Sequence, residues 1–139
     1  MTNPLQILEK AKTVAVVGCS ATPGKDAHDI PKFVAEHYTL HPVNPSASEI
    51  FGLKAYAKLA DVPGPIDIVN VFRPSAETPL IAQQAVDVGA KALWLQTGIA
   101  HPEARRVAES ARLDYVEDTC IRVLLRRHLA MRESKRSSG

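Results

Sequence analysis

Five short runs of apolar and β-branched residues recur along the chain: Thr13 to Val17, Tyr38 to Val43, Ile66 to Val71, Ala92 to Leu95 and Asp114 to Val116. Their hydrophobicity is continuous rather than alternating. Strands buried on both faces require that pattern, as in a parallel sheet covered by helices. Between the runs the period changes to that of a helix. Ile30, Phe33, Val34 and His37 fall at i, i+3, i+4 and i+7, with Asp29 as a candidate N-cap and Pro31 in the first turn. Ile81, Ala85 and Val88 form a second stripe, which Gly89 stops. Ala104, Val107, Ala108 and Ala111 form a third after His101-Pro102. A last helix from Thr119 to Arg132 carries Ile121, Leu124, Leu125 and Leu129 on one side and Arg122, Arg126, Arg127 and Arg132 on the other. Asn3-Pro4 opens a short helix near the start. Ser46-Ala47-Ser48-Glu49 reads as a capping box for a brief helical turn ending near Gly52. Pro63-Gly64-Pro65 marks a connection. Strand and helix alternate, which predicts a doubly wound α/β domain.

Composition narrows the class. A chain of 139 residues makes one domain, expected over residues 1–133 with the polar stretch 134–139 as a disordered tail. Seventeen Lys+Arg against fifteen Asp+Glu give a formal charge of +2, too small a field for avid binding to nucleic acid. The longest apolar runs, such as Val14-Ala15-Val16-Val17, fall far short of the ~20 residues that span a bilayer. Met1-Thr2-Asn3-Pro4 has no basic segment followed by an apolar run, so the expected location is cytoplasmic, with no membrane partner. Cys19 and Cys120 lie far apart and read as reduced thiols. The histidines at 28, 37, 41, 101 and 128 sit on different elements without metal-like spacing, so no metal site is expected. No Gly-x-Ser-x-Gly elbow occurs, and no catalytic constellation is assigned.

In an open α/β sheet, ligands bind beyond the carboxyl ends of the strands. The first strand is followed by Gly18-Cys19-Ser20-Ala21-Thr22-Pro23-Gly24-Lys25, the second by Asn44-Pro45, the third by Phe72-Arg73-Pro74-Ser75 and the fourth by Gln96-Thr97-Gly98-Ile99. These segments supply glycines, hydroxyls, amides and two cations, without a carboxylate. Such a set suits a phosphate-bearing ligand, because helix N-termini, backbone N–H groups and cations all favour negative charge. Gly18 and Gly24 allow close backbone approach, Ser20 and Thr22 can donate to phosphate oxygens, and Lys25 and Arg73 bring charge. The first loop lacks the Gly-x-Gly-x-x-Gly fingerprint, and the second strand ends His41-Pro42-Val43-Asn44 without an acidic residue for a ribose. NAD is therefore disfavoured. Asp26 follows Lys25, so the loop is not that of a nucleoside triphosphatase either.

Four segments in order, Val16-Val17-Gly18-Cys19-Ser20, Pro42-Val43-Asn44-Pro45, Asp67 to Pro74 and Gly89 to Ile99, resemble the small stand-alone CoA-binding proteins. That family is similar to the N-terminal CoA-binding domain of the succinyl-CoA synthetase alpha subunit. The resemblance implies a Rossmann-like five-stranded parallel sheet in a three-layer α/β/α arrangement, with CoA or acyl-CoA across the strand ends. By the same resemblance, Ser20, Ala21, Thr22 and Pro23 match the loop at the nucleotide end of CoA, and Lys25 a basic position. Val71, Phe72, Arg73 and Pro74 match the adenine and pantetheine path, and Gln96 to Ile99 the loop near the pantetheine arm. A lysine of the synthetase corresponds to Ala47 here, leaving Lys25 or Arg73 to replace it. The synthetase reaction needs a further domain and a partner subunit. The resemblance thus implies an accessory, carrier or regulatory CoA-binding module. Two alternatives are an enzyme acting on a CoA thioester or thiol through Cys19, whose position before a helix can activate a thiol, and an NAD(P)-binding regulator. The basic side of the last helix is a solvated face or a dock for a protein partner, and a homo-oligomer is compatible with the sequence.

Overall fold

The structure, a computed structural model, describes residues 3–138. Its elements are α1 (Pro4–Lys10), β1 (Thr13–Val17), α2 (Asp26–Val34), β2 (Thr39–Val43), β3 (Glu49–Ile50), β4 (Leu53–Lys54), β5 (Ile68–Val71), α3 (Thr78–Asp87), β6 (Ala92–Leu95), α4 (Pro102–Ser110), β7 (Asp114–Val116) and α5 (Ile121–Ser138). Short 3-10 turns at Leu59–Asp61 and Ser75–Glu77 precede β5 and α3. Five strands form one parallel sheet in the order β2-β1-β5-β6-β7.

Alternate residues of each strand explain the three layers. Val14, Val16, Ile68 and Trp94 point into one core with Ile7 and Leu8 of α1, Ile30 and Val34 of α2, and Ile121 and Leu125 of α5. Ala15, Val69, Val71, Leu93 and Leu95 point into the other, with Ile81 and Ala85 of α3 and Ala104 and Ala108 of α4. Both faces of β5 and β6 are fully covered, which is why these strands show no alternation in sequence. The expected doubly wound, Rossmann-like α/β/α fold is the one observed.

Three expectations change. Helix α2 starts at Asp26, capped by Lys25 in extended conformation, so Asp29 is not the N-cap and Pro31 lies inside the helix. The Ala27 carbonyl, which Pro31 cannot serve for want of an N–H, accepts the Ser20 amide at 2.8 Å instead. No helical turn forms at Ser46–Glu49. The Asn44 side chain takes the amides of Ser46 and Ala47, at 2.7 and 3.2 Å, and the chain then makes the β3–β4 hairpin. Phe51 and Gly52, at φ +34° and +80°, supply the left-handed pair that a tight two-residue hairpin turn requires. Helix α5 continues past Arg132 through Ser138, so residues 134–138 are helical where the sequence reading expects no fixed structure; Gly139 lies outside the described residues. Ala130, Met131, Arg132, Glu133, Lys135 and Arg136 are good helix formers with no stop signal among them. Part of the basic side is used in packing, with the Arg126 guanidinium 5.2 Å from the centre of the Phe33 ring.

The amino-terminal edge of the sheet is tied by Asp67. Its carboxylate accepts the amides of Lys12 (2.7 Å) and Thr13 (3.1 Å) and pairs with Lys91 at 3.3 Å. Partial burial pushes the carboxyl pKa up, but the two amides and the ammonium outweigh that and hold it below its ordinary value. A carboxyl with a depressed folded-state pKa contributes stability that is present above its unfolded pKa of about 3.9 and is lost as pH falls through the folded value. The stability difference between wild type and Asp67→Asn, measured by urea unfolding, is therefore expected to be constant near neutrality and to shrink below about pH 4. A difference unchanged down to pH 2.5 refutes it.

Candidate functional site

The chain leaves β1 toward β2 on one side and returns across it to β5 on the other, so the carboxyl ends of β1 and β5 flank the switch point where a crevice opens. A cleft of about 1080 Å³ lies there. Gly18, Cys19, Ser20 and Lys25 line one part of it, Asn44 and Pro45 another, and Phe72 and Arg73 a third. These predicted residues the structure does bring together.

Gly18 closes the geometry. Its φ is +87°, and a Cβ at this position would sit 2.7 Å from the Phe72 carbonyl oxygen and 2.8 Å from Arg73 Cδ. Its amide donates to Val43 O at 3.1 Å, while the Phe72 amide donates to Val17 O at 2.9 Å. The ends of β1, β2 and β5 thus meet at one residue that has no side chain. The loop beyond it is held from α2. Besides the Ser20–Ala27 bond, the Gly24 amide donates to Asp29 Oδ1 at 3.1 Å, and the Thr22 amide to Ser20 Oγ at 3.1 Å. His28 Nδ1, 3.0 Å from the same Asp29 oxygen, and then the Gly24 amide hold the Asp29 carboxyl below its ordinary pKa. The His28 and Asp29 amides both donate to Lys25 O at 2.9 Å, which leaves the first two amides of α2, those of Asp26 and Ala27, for an incoming anion. Lys25, the N-cap residue, is exposed and in no ion pair among the described residues.

The remaining predicted residues take other roles. Ala21, Thr22 and Pro23 are exposed at the outer bend and do not line the cleft. Asn44 braces rather than binds: its Nδ2 donates to Cys19 O at 2.9 Å, and its Oδ1 holds the two amides after Pro45. Arg73 gives Nε and one terminal nitrogen to Glu77, at 3.1 and 2.8 Å, and this pair raises its pKa further. Val71 is buried in the core below, and Pro74 is exposed. The segment 96–99 stands outside the cleft. Gln96 is 4% exposed, and its Oε1 accepts Asn70 Nδ2 at 3.1 Å and the Ile121 amide at 2.9 Å. Thr97 is exposed, Gly98 donates its amide to Asp118 Oδ1, and the half-buried Ile99 accepts the Asp118 amide.

Cys19 borders the cleft, but its side chain packs with Val16, Ile30 and Val34. Burial pushes its thiol up to about 12, far from the ~8.5 of a free cysteine, so it stays protonated at neutral pH. Ellman's reagent at pH 8 is expected to react with the half-buried Cys120 and to reach Cys19 only after unfolding. Two equally fast thiols in the native protein refute that arrangement.

Sequence reasoning missed one cation and one wall. Lys58 follows Tyr56, which is hydrogen-bonded to the end of β2 through Pro42 O and the Asn44 amide, and it lines the cleft. The outer side of α3, with Leu80, Gln84, Asp87 and Val88, forms the far wall. Neither lies directly after a strand, so the rule of reading strand ends passes over both. Among the described residues no helix is long and apolar enough to cross a membrane, and no cluster of His, Cys, Asp or Glu has the grouping of a metal site.

Comparison with known proteins bears on the family and the fold. The profile described as CoA binding domain matches residues 12–126. The uncharacterized protein YneT of Bacillus subtilis is 37% identical over 119 residues, covering 85% of this chain and 88% of that one. An ADP-forming acetate–CoA ligase of Methanocaldococcus jannaschii is 32% identical over 88 residues, 63% of this chain, and the matched part spans 12% of the ligase. The solved structure of cell-free ID.343 from Thermus thermophilus superposes with a TM-score of 0.85 at 34% identity, covering 91% of this chain and 99% of that one. That match takes in the whole five-stranded sheet, and with it every segment that lines the cleft, so this chain belongs to the CoA binding domain family.

Proposed function

We propose that the chain binds CoA or an acyl-CoA in the switch-point cleft and serves as an accessory, carrier or regulatory module without chemistry of its own. The observation that carries this reading is the convergence on one cleft of the Gly18 turn, the N-terminus of α2 and three cations, Lys25, Lys58 and Arg73. Main-chain amides and Lys25 take the pyrophosphate; Lys58 and Arg73 face the ribose phosphate. The acetate–CoA ligases, of which the chain matches a small part, favour the same ligand class. No histidine lines the cleft among the described residues, and its one thiol is protonated, which speaks against a Cys19 nucleophile. Asn44 spends its carboxamide on the loops, leaving no ribose partner at the end of β2, which speaks against NAD(P). The two free thiols suit a cytoplasmic location.

Titration calorimetry with CoA tests the reading. Lys25→Ala is expected to weaken CoA about tenfold, the loss of one charge-assisted contact. Glu77→Gln, which releases the Arg73 guanidinium, is expected to tighten it. Absence of CoA binding, or a Kd unmoved by Lys25→Ala, overturns this site.

A further inference from the structure

Five charged side chains line the cleft, and they are not equally free to meet a ligand. Lys25, Lys58 and Arg73 are cations, Glu77 and Asp87 anions. Arg73 and Glu77 close on each other through hydrogen bonds of 3.1 and 2.8 Å, so together they present little net charge. Asp87, at the carboxyl end of α3, sets that end of the cleft against anions. Lys25 and Lys58 are left, both exposed and in no ion pair among the described residues. They stand on different segments, Lys25 at the start of α2 and Lys58 beside the end of β2. The position of Lys58 is fixed from both sides. Two residues before it, the Tyr56 amide donates to Pro42 O and the Tyr56 carbonyl accepts the Asn44 amide, both at 2.9 Å. One residue after it, Leu59 is 3% exposed and sits in the same core as Val43. The turn after β2, Asn44-Pro45-Ser46-Ala47, carries no charge of its own. Lys58 is therefore the one charged group at that end of the cleft among the described residues.

From this separation of the two free cations we infer that Lys58 reads the phosphate monoester on the ligand's ribose, and that the cleft thereby selects CoA over dephospho-CoA, which lacks that group. The inference rests on the CoA-binding reading above and deepens it. A diphosphate seated on the Asp26 and Ala27 amides meets Lys25 and satisfies only that one cation. A ligand whose sole anionic group is a diphosphate leaves Lys58 in water and gains nothing from it. CoA carries a second anionic group apart from the first, with a charge near −2 at neutral pH, and so calls for a second cation set apart from the first. Arg73 must break two bonds to Glu77 before it can serve that group, whereas Lys58 breaks none. The Ser46 hydroxyl, which lines the same end of the cleft, adds a neutral donor beside it.

The test is calorimetry with two probes, CoA and dephospho-CoA, on the wild type, Lys58→Met, Lys58→Arg and Lys25→Ala. The wild type is expected to bind CoA about tenfold tighter than dephospho-CoA or better, the worth of one charge-assisted contact to a phosphate. Lys58→Met keeps the length of the stem and removes the charge. It should bring the preference to about twofold or less by weakening CoA alone, with dephospho-CoA and Tm unchanged because the side chain is exposed. Lys58→Arg should restore the preference. Lys25→Ala should weaken both probes alike, by about tenfold, and leave their ratio where it was. Equal affinities in the wild type, or a preference that survives Lys58→Met, overturn the role of Lys58 and leave the CoA site standing. If neither probe binds the wild type, both readings fall together.

Discussion

Gly18→Ala is expected to lower the stability of the domain by about 3 kcal/mol. The left-handed backbone costs an L-residue about 1–2 kcal/mol, and the added methyl must displace the Phe72 carbonyl, which belongs to the strand end and cannot swing aside. For a domain of this size that corresponds to a fall of roughly 10 °C in Tm. The binding consequence is larger than the mutation's size suggests, since the methyl separates β1 from β5 at the point where their ends frame the cleft. Urea unfolding and CoA titration on the same sample check it; a loss under 1 kcal/mol with unchanged CoA affinity sinks the argument.

Gln96→Leu is expected to cost about 2–4 kcal/mol while leaving CoA affinity within about threefold. The substitution strips the acceptor from the Ile121 amide, a buried donor at roughly 1–3 kcal/mol when unsatisfied, and one of two acceptors from Asn70 Nδ2, which keeps only the Trp94 carbonyl at 3.3 Å. Asn70 Oδ1 already has no partner, so the carboxamide pair has no slack to rearrange into. Ile121 opens α5, and Trp94 reaches the same corner, its Nε1 donating to Thr119 O at 2.9 Å. Loosening Gln96 therefore unseats the start of the longest helix. Stability retained with CoA affinity lost would instead make Gln96 a ligand contact.

These two residues also mark what a linear sequence discloses. Gly18 was legible because it ends a continuous apolar run before a helix, where close turns and anion sites both ask for glycine. The strands Thr13–Val17 and Ala92–Leu95 were legible for a similar reason: burial on both faces leaves no polar alternation to confuse the reading. Gln96 was not. A glutamine at a strand end has the composition of a turn, and its partners, Asn70 and Ile121, are distant in sequence. Ser46 to Glu49 misled because a capping box specifies only local bonds. Asn44, two residues earlier, takes the Ser46 amide that the Glu49 side chain would have to reach, and the Ala47 amide with it, and the left-handed pair at Phe51-Gly52 then reversed the chain. Lys58 and the outer face of α3 were missed because they reach the cleft sideways, past an irregular connection whose path no periodicity encodes.

Pro31 sets a limit on how this domain can be improved. By helix propensity it is the worst residue in α2, and replacing it with alanine is the first change a protein engineer seeking thermal robustness would choose. Yet the Ala27 carbonyl, left without its helical donor, now accepts the Ser20 amide at 2.8 Å. An alanine at 31 would bring a second N–H from within the helix to share that carbonyl, and the Ser20 bond that anchors the loop would weaken. Robustness gained in α2 would be taken from the shape of the ligand's cradle, so stabilising substitutions belong in α4 or α5 rather than here.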